Sequence, residues 1–169
     1  VRNVAMSVDP YMRSRFSEQP GRGMLHSVGE IMSGEAVGVV ESSTDATLSP
    51  GDHVLSTFGW RDRFVAPVAH LERIDCSSIA PSVYLGVLGV PGFTAWAGRE
   101  AVPFREGEVV FVNAASGAVG STYGQLAKIA GAYVIACAGS EEKGERLKEL
   151  GADEVILYTQ EDFMKVVRE

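Results

Sequence analysis

A run of small residues, Asn113–Gly120 with the sequence N-A-A-S-G-A-V-G, has the clearest chemical signature in the chain. It follows the apolar run Val109–Val112 and opens a segment whose apolar residues recur at helical spacing. In a strand–turn–helix unit, turn N–H groups and the positive helix end can hold a pyrophosphate. Ala115 replaces the first glycine of G-x-G-x-x-G, Gly117 allows close ligand approach, and Gly120 allows close helix–strand contact. The run predicts dinucleotide binding, although alone it also fits a buried strand followed by a small-residue turn.

The elements that must position this turn follow it in the sequence. Gly131 ends the predicted helix, and Tyr133–Ala138 is a second apolar strand. Glu141–Leu150 has a helical pattern, and Val155–Tyr158 is a third strand, after which Glu161–Glu169 begins the next helix. This alternation predicts the first half of an α/β Rossmann-type, doubly wound parallel sheet.

The tip of the second strand indicates which dinucleotide binds. NAD sites usually carry Asp or Glu there to hold the ribose hydroxyls, whereas this chain has Ala138-Gly139-Ser140. Lys143 lies in the first turn of the next helix, where the dipole disfavours a cation unless an anion offsets it. A 2′-phosphate would do so and would accept a hydrogen bond from Ser140, so we expect NADPH or NADP⁺. The alternatives are Ser140 as an ordinary N-cap, Lys143 as a solvated residue, and Glu141 or Glu142 turned toward a ribose.

Residues 1–80 have the pattern of an irregular, barrel-like all-β domain with turn signals between short apolar runs. Two helical segments, Ser82–Leu88 and Thr94–Ala101, join it to the nucleotide-binding part, which we assign to residues 81–169. The predicted strands are Val1–Ser7, Gly34–Glu41, His53–Thr57 and Arg63–Pro67.

Composition bounds the class of protein. The chain has 169 residues, a hydrophobic fraction of 46% and a mean hydropathy of +0.07, which suit a soluble globular core. The net charge of −7 argues against nucleic acid or anionic membranes as partners, and no run has membrane-spanning length. Cys76 and Cys137 lie far apart and are interpreted as free thiols in a reducing compartment, which indicates the cytoplasm.

Four stretches carry a family resemblance: S-V-D-P-Y-M-R at Ser7–Arg13, the run Gly86–Ala95, the small-residue turn, and A-G-S-E-E-K at Ala138–Lys143. They resemble the medium-chain dehydrogenase/reductase superfamily, and more closely its zinc-independent branch of prostaglandin, alkenal and curcumin-type reductases. The resemblance implies a GroES-like β domain followed by an NADP-binding Rossmann-type domain. Because the chain starts within a strand-like run and stops within a predicted helix, we expect a fragment of a longer polypeptide, lacking residues at both ends.

The resemblance also implies roles for individual residues. Lys143 would bind the 2′-phosphate, Tyr158 would lie on the adenosine-phosphate side, and Thr94 would lie near the nicotinamide. Their alternatives are a solvated lysine, a tyrosine packed on the sheet and a threonine that caps a helix. The residues implied to hold the pyrophosphate are Gly117, Ala118, Val119 and Gly120.

The zinc alcohol dehydrogenases of this superfamily carry thiolate and imidazole ligands where this chain has S-V-D-P-Y-M-R and S-G-E-A. His26, His53 and His70 are scattered, and neither cysteine has a partner at metal-ligand spacing, so we expect no metal. Hydride delivery to an activated C=C bond suits such a site better than reduction of an unactivated ketone. The hypothesis is therefore NADPH-dependent reduction of α,β-unsaturated ketones or aldehydes, with hydride added at the β-carbon and the enolate then protonated.

Three aromatic residues are candidates for the substrate side of this reaction. Tyr11, in a loop stiffened by proline, is the candidate catalytic hydrogen-bond donor, and Phe58 and Trp60 are candidate walls of a flat apolar pocket. The alternative for Tyr11 is packing beneath its loop, and the alternative for Phe58 and Trp60 is packing in the core of a hairpin loop. A small-molecule α,β-unsaturated carbonyl is the expected partner, and a homodimer is expected for the full-length parent. An NADPH:quinone reductase of the same superfamily and a non-catalytic NADP(H)-binding protein are the alternative functions.

Overall fold

The structure, a computed structural model, describes residues 1–15, 26–27 and 29–160. The chain divides into two units, residues 1–85 and 86–169, whereas the sequence placed the boundary after residue 80. Residues Pro81–Leu85 form a 3-10 helix that packs against two strands of the first unit, which accounts for the later division.

The helix predicted at Glu161–Glu169 lies outside the described residues. None of the described helices is long and apolar enough to cross a membrane.

The first unit is built on an antiparallel sheet of four strands that pair in sequence order. Val37 and Val54 lie fully buried on adjacent strands and anchor this unit. A short helix, α1, spans Pro10–Ser14 after the first strand, and a 3-10 helix spans Val68–His70. The strands are β1 (Arg2–Met6), β2 (Ala36–Val39), β3 (His53–Ser56) and β4 (Glu72–Ile74).

The strand predicted at Arg63–Pro67 is wrong. In this stretch Arg63 pairs with Arg2 through an isolated bridge only. Pro67 has no N–H to donate, and with φ −58° it leads directly into the 3-10 helix. The fourth strand forms beyond that helix, at Glu72–Ile74.

The second unit is a parallel sheet of three strands whose connections are helical, as predicted. The two connections progress in the same direction across the sheet. Because such crossovers are right-handed, both connecting helices lie on the same face. Gly131 and Gly151 end these helices in left-handed conformations, with φ +81° and +98°. The elements are α2 (Val90–Ala101), β5 (Val109–Val112), α3 (Ala118–Ile129), β6 (Tyr133–Ala138), α4 (Glu141–Glu149) and β7 (Glu154–Leu157).

Small side chains bring the helices of this unit close to its sheet. Ala127 on α3 and Ala136 on β6 are almost completely buried in the core, together with Val134. Because alanine side chains are small, the helix backbone can approach the strands closely, and apolar area is buried without voids. This packing fixes the position of the first residues of α3 and of the turn that precedes them.

The helices predicted at Ser82–Leu88 and Thr94–Ala101 differ from those observed. The first is the shorter 3-10 helix at Pro81–Leu85, and the second begins four residues earlier, at Val90. Pro91 fits because the first turn of a helix needs no N–H donor at its position. Gly92 fits because a Cβ there would overlap with the carbonyl oxygen of Val87.

One ionic cluster joins the elements at the amino ends of the strands. Lys128 Nζ donates to the Asp153 carboxylate at 2.7 Å and to the Ala132 carbonyl at 3.2 Å. The same carboxylate accepts the Val134 N–H at 2.6 Å. The hydrogen bond from Lys128 holds the pKa of Asp153 below its ordinary value, helped by the bond from Val134. The end of α3 and the starts of β6 and β7 are thereby held together.

Candidate functional site

The small-residue turn has the geometry of an anion-binding helix start. Gly117 is the N-cap of α3, and its N–H donates to the Ala114 carbonyl at 3.0 Å. A Cβ on Gly120 would lie 2.6 Å from that carbonyl oxygen and 2.9 Å from the Cα of Ala115. Only glycine therefore lets the helix approach the turn this closely. The exposed first residues of α3 present N–H groups that have no partner within a helix.

Ala114 adopts a conformation that the sequence did not predict. Its φ is +48°, in the left-handed region that residues with a Cβ rarely occupy. The Asn113 side chain accepts the Ala114 N–H at 2.8 Å and supports this turn. Left-handed backbone costs a non-glycine residue about 1–2 kcal/mol. Such strain is concentrated at ligand sites, so Ala114 adds to the evidence for a dinucleotide turn.

The ends of all three parallel strands meet beside this turn. The Ala115 N–H donates to the Cys137 carbonyl at 3.2 Å, which joins the turn to the end of β6. The Tyr158 N–H donates to the Ala138 carbonyl at 3.2 Å, which joins the end of β7 to the same place. Ligands of open α/β sheets bind at this carboxyl edge. The structure thus gathers the turn, the Gly139–Ser140 tip and Tyr158 at one edge of the second unit.

Tyr158 covers the strand tip where an acidic residue would stand in an NAD site. A Cβ on Gly139 would lie 2.5 Å from the phenol oxygen of Tyr158, whose side chain remains half exposed. The Thr159 hydroxyl also donates to the Gly139 carbonyl at 3.3 Å. The predicted alternative, a tyrosine packed at the strand end, is therefore observed, and the phenol stays accessible to a ligand.

The start of α4 combines a cap with a cation. The Ser140 hydroxyl accepts the Lys143 N–H at 3.4 Å, so the N-cap interpretation is confirmed. Lys143 lies on the exposed surface in the first turn of the helix. The Glu141 carboxylate accepts from the Gln160 side chain at 3.2 Å. Glu141, which was a candidate for contact with a ribose, is thus engaged with Gln160.

Thr94 lies inside α2 and does not cap it. Gly89 is the N-cap, and the Thr94 hydroxyl donates to the Val90 carbonyl within the same helix at 2.7 Å. The alternative of an N-cap is therefore wrong, because the helix begins earlier than predicted. The Thr94 side chain is exposed, and its oxygen retains lone pairs that can accept hydrogen bonds.

In the first unit, Tyr11 lies on α1 beneath an arginine. The Arg15 guanidinium carbon is 4.7 Å from the centre of the Tyr11 ring, and Arg15 Nη1 donates to the carbonyl and hydroxyl of Ser33 at 3.1 Å. Burial raises the pKa of Tyr11 above its ordinary 10.0, Arg15 opposes this shift, and the carboxylates of Asp9 and Glu35 add to it. The phenol is therefore kept protonated and able to donate.

The carboxylates of Asp9 and Glu35 also lie near Tyr11. The Ser7 hydroxyl donates to the Asp9 carboxylate, and the Ser7 N–H donates to the Glu35 carbonyl at 2.9 Å. Burial raises the pKa of Glu35, and the negative charge of Asp9 raises it further. Asp9 belongs to the S-V-D-P-Y-M-R stretch and Glu35 to the S-G-E-A segment, but no spacing rule predicts that both act on Tyr11.

Phe58 and Trp60 have different environments in the loop after β3. Phe58 is half buried and stacks on Phe64, with 4.8 Å between ring centres, as the core-packing alternative predicts. Trp60 is 41% exposed and has a positive φ of +59°. A Cβ on Gly34 would lie 3.6 Å from the Trp60 indole and 2.5 Å from the Met12 methyl. Trp60 and the helix that carries Tyr11 therefore approach Gly34 from two sides.

Metal-ligating side chains are dispersed in the described part of the chain, where no three His, Cys, Asp or Glu residues could hold a metal ion together. Cys76 is partly exposed and Cys137 is buried, and they form no disulfide with each other. Burial raises the pKa of the Cys76 thiol, and the nearby Asp75 adds to this effect.

Two family models match the two parts of the chain. Residues 1–74 match a model described as the N-terminal domain of oxidoreductase, and residues 118–169 match one described as zinc-binding dehydrogenase. A 2-alkenal reductase (NADP⁺-dependent) of Nicotiana tabacum is 41% identical over 95% of the chain and 48% of its own length. An NADPH-dependent curcumin reductase of Escherichia coli is 38% identical over 96% of the chain and 48% of its length.

The solved structure of CurA from Vibrio vulnificus in complex with NADPH is similar over 98% of the chain and 50% of its own length. Its TM-score is 0.88 and its sequence identity is 38%. The chain thus spans about half the length of the proteins it matches. It belongs to the medium-chain dehydrogenase/reductase superfamily, in the branch of the alkenal, curcumin and prostaglandin reductases.

Proposed function

We propose that the protein is an NADPH-dependent oxidoreductase that reduces the C=C bond of α,β-unsaturated ketones and aldehydes. The observation that carries this proposal is the strand tip at Gly139, which has no carboxylate, is covered by Tyr158 and lies before the cationic Lys143. This arrangement favours a 2′-phosphate over a free ribose hydroxyl. The likeness to relatives named as NADP-dependent alkenal and curcumin reductases supports both cofactor and reaction.

The turn and the first residues of α3 are proposed to bind the pyrophosphate. Gly117 and Gly120 keep the turn open and close to the helix, while Ala118 and Val119 present backbone N–H groups. On the phosphate side, Lys143 supplies a charge, and the hydroxyls of Ser140 and Tyr158 supply hydrogen bonds. Thr94, whose oxygen can still accept, is proposed to lie on the nicotinamide side.

When bound, NADPH supplies the hydride that the β-carbon of the unsaturated carbonyl receives. The Tyr11 phenol is proposed to donate a hydrogen bond to the carbonyl oxygen, where negative charge develops as the enolate forms. Its raised pKa keeps that donor protonated at neutral pH. Phe58 and Trp60 are proposed to flank the conjugated system, since flat aromatic walls suit a planar substrate.

An assay of NADPH oxidation with purified protein tests the proposal. Oxidation should depend on an added 2-alkenal or enone and should be slower with NADH. Faster turnover of quinones than of enones would instead favour a quinone reductase. NADPH binding without turnover of either acceptor would favour a non-catalytic binding protein.

A reducing, cytoplasmic location is a further proposal, which the partly exposed thiol of Cys76 supports. A homodimer is proposed from the family resemblance. Cell fractionation and analytical ultracentrifugation test these two proposals.

A further inference from the structure

The loop between Phe58 and Asp62 holds Trp60 in an unusual backbone conformation. Its φ of +59° lies in the left-handed region, where a bulky side chain is strongly disfavoured. Such a conformation persists only when the surrounding structure holds it. The indole borders a groove of about 630 Å³ that is also lined by residues 3–6, including the exposed side chains of Val4 and Met6.

Asn3 supplies the contacts that hold this loop. Its side-chain nitrogen Nδ2 donates to the Phe58 carbonyl at 2.8 Å and to the Arg61 carbonyl at 2.9 Å. Its backbone N–H donates to the Asp62 carbonyl at 2.8 Å. One residue thus bonds carbonyls on both sides of Trp60, and both hydrogens of its side-chain amide are used.

The orientation of the Asn3 amide is set by these carbonyls. Its oxygen Oδ1 is buried and has no hydrogen-bond partner within residues 1–15, 26–27 and 29–160. A buried acceptor without a partner is unfavourable, so the two donor bonds outweigh that loss. Gly38, which pairs with Asn3 on the adjacent strand, leaves space for the oxygen, since a Cβ there would lie 3.2 Å from it.

The register of β1 helps to place this residue. The pairing with β2 shifts between Asn3 and Ala5, so a bulge at Val4 interrupts the strand next to Asn3. Bulges redirect side chains and are enriched near functional sites. The bulge, the space at Gly38 and the three hydrogen bonds all indicate that Asn3 positions the loop.

We propose that Asn3 is a positioning residue that fixes Trp60 as a wall of the substrate pocket and so sets selectivity among unsaturated carbonyl substrates. This inference rests on the proposed function, through the role assigned to Trp60. Asn3 touches no substrate itself. It acts through the loop, so its loss should affect substrates that reach Trp60 more than small ones.

The variant Asn3→Asp tests the inference, because it keeps the shape of the side chain and removes both amide donors. Hydrogen exchange of the backbone amides in residues 58–62 should rise by about tenfold or more. The KM for an aryl-substituted enone should rise about tenfold while that for a small 2-alkenal and both kcat values change little. Arg2→Gln, on the same strand but outside this loop contact, is the matched control and should leave exchange and both KM values unchanged.

A double-variant cycle separates positioning from a general loss of structure. In a Trp60→Ala background, Asn3→Asp should no longer change the KM for the aryl enone. An equal change in both backgrounds, or unchanged exchange in residues 58–62, would overturn the inference. If Asn3→Asp does not fold, Asn3→Ser, which retains one donor on a shorter side chain, should still raise exchange in residues 58–62, and wild-type exchange there would overturn the inference as well. If no enone is reduced, the proposed function fails, while the exchange measurement still decides whether Asn3 holds the loop.

Discussion

The phenol of Tyr158 occupies the space that a side chain at Gly139 would need, since a Cβ there would lie 2.5 Å from the phenol oxygen. The end of β7 thereby determines what the end of β6 can carry. An acidic residue at this tip is the usual device for holding ribose hydroxyls. Here an acidic side chain at the tip would first have to push the Tyr158 phenol aside.

This exclusion predicts how the cofactor preference can be changed. Gly139→Asp alone should weaken NADPH binding without creating tight NADH binding, because the new side chain must displace the Tyr158 phenol. Adding Tyr158→Ala should free the space and raise the affinity for NADH. Calorimetric titration of both cofactors into the single and double variants is the measurement. Tight NADH binding by Gly139→Asp alone would contradict the predicted clash.

The charge at Lys143 should matter specifically for the 2′-phosphate. Lys143→Gln should weaken NADPH binding by about tenfold or more, the effect of losing one charge-assisted hydrogen bond, and leave NADH binding nearly unchanged. Lys148→Gln is the matched control, since Lys148 lies on the same helix and pairs with Glu145 at 3.0 Å. Equal losses for both cofactors, or equal effects of the two variants, would refute the assignment.

Tyr11→Phe should lower kcat for enone reduction by about 10²–10³-fold, the range seen when one donor to a developing oxyanion is removed. NADPH affinity should stay unchanged. Because the pKa of Tyr11 is raised above 10.0, activity that depends on the phenol should persist through mildly alkaline pH in the wild-type protein. Steady-state kinetics and cofactor titration on the same preparations check both statements. Unchanged kcat would remove Tyr11 from the mechanism.

The raised pKa of Glu35 predicts that the stability of the folded protein depends on pH. Its pKa is raised in the folded protein by burial and by Asp9, so the folded state binds its proton more tightly than the unfolded state does. Stability is therefore lost as pH rises through the ordinary and then the raised pKa. Glu35→Gln should raise Tm by about 1–2 °C near pH ~7, a small value because the side chain is partly solvated. Near pH ~4 the gain should be smaller. Calorimetry at both pH values tests this prediction. An equal gain in Tm at both would contradict the raised pKa of Glu35 as the cause.

Much of the second unit could be predicted because its signals are local. The bounds of β6 agree at both ends, since an apolar run is closed by Gly131 before it and Gly139 after it. The left-handed glycines after α3 and α4 followed from the usual ending of helices. Ala114 could not be predicted, because nothing in an alanine signals positive φ.

The first unit was less predictable because its contacts join distant residues. The bonds from Asn3 to Phe58 and Arg61 span more than fifty positions, and no spacing rule relates them. The aromatic side chain of Trp60 is visible in the sequence, whereas its left-handed backbone, which lies between those bonds, is not. The strand predicted at Arg63–Pro67 is wrong because Pro67 leads into the 3-10 helix at Val68–His70, which the apolar pattern does not reveal.

The ionic cluster of Lys128 and Asp153 lies at the edge of the sheet opposite the small-residue turn. Substitutions there change how firmly α3, β6 and β7 are joined, but they leave the residues proposed to recognise the cofactor in place. Evolution or a protein engineer can therefore adjust the lifetime of this unit at one edge and its ligand preference at the other. Thermal tolerance and cofactor choice become separately adjustable traits of a single small sheet.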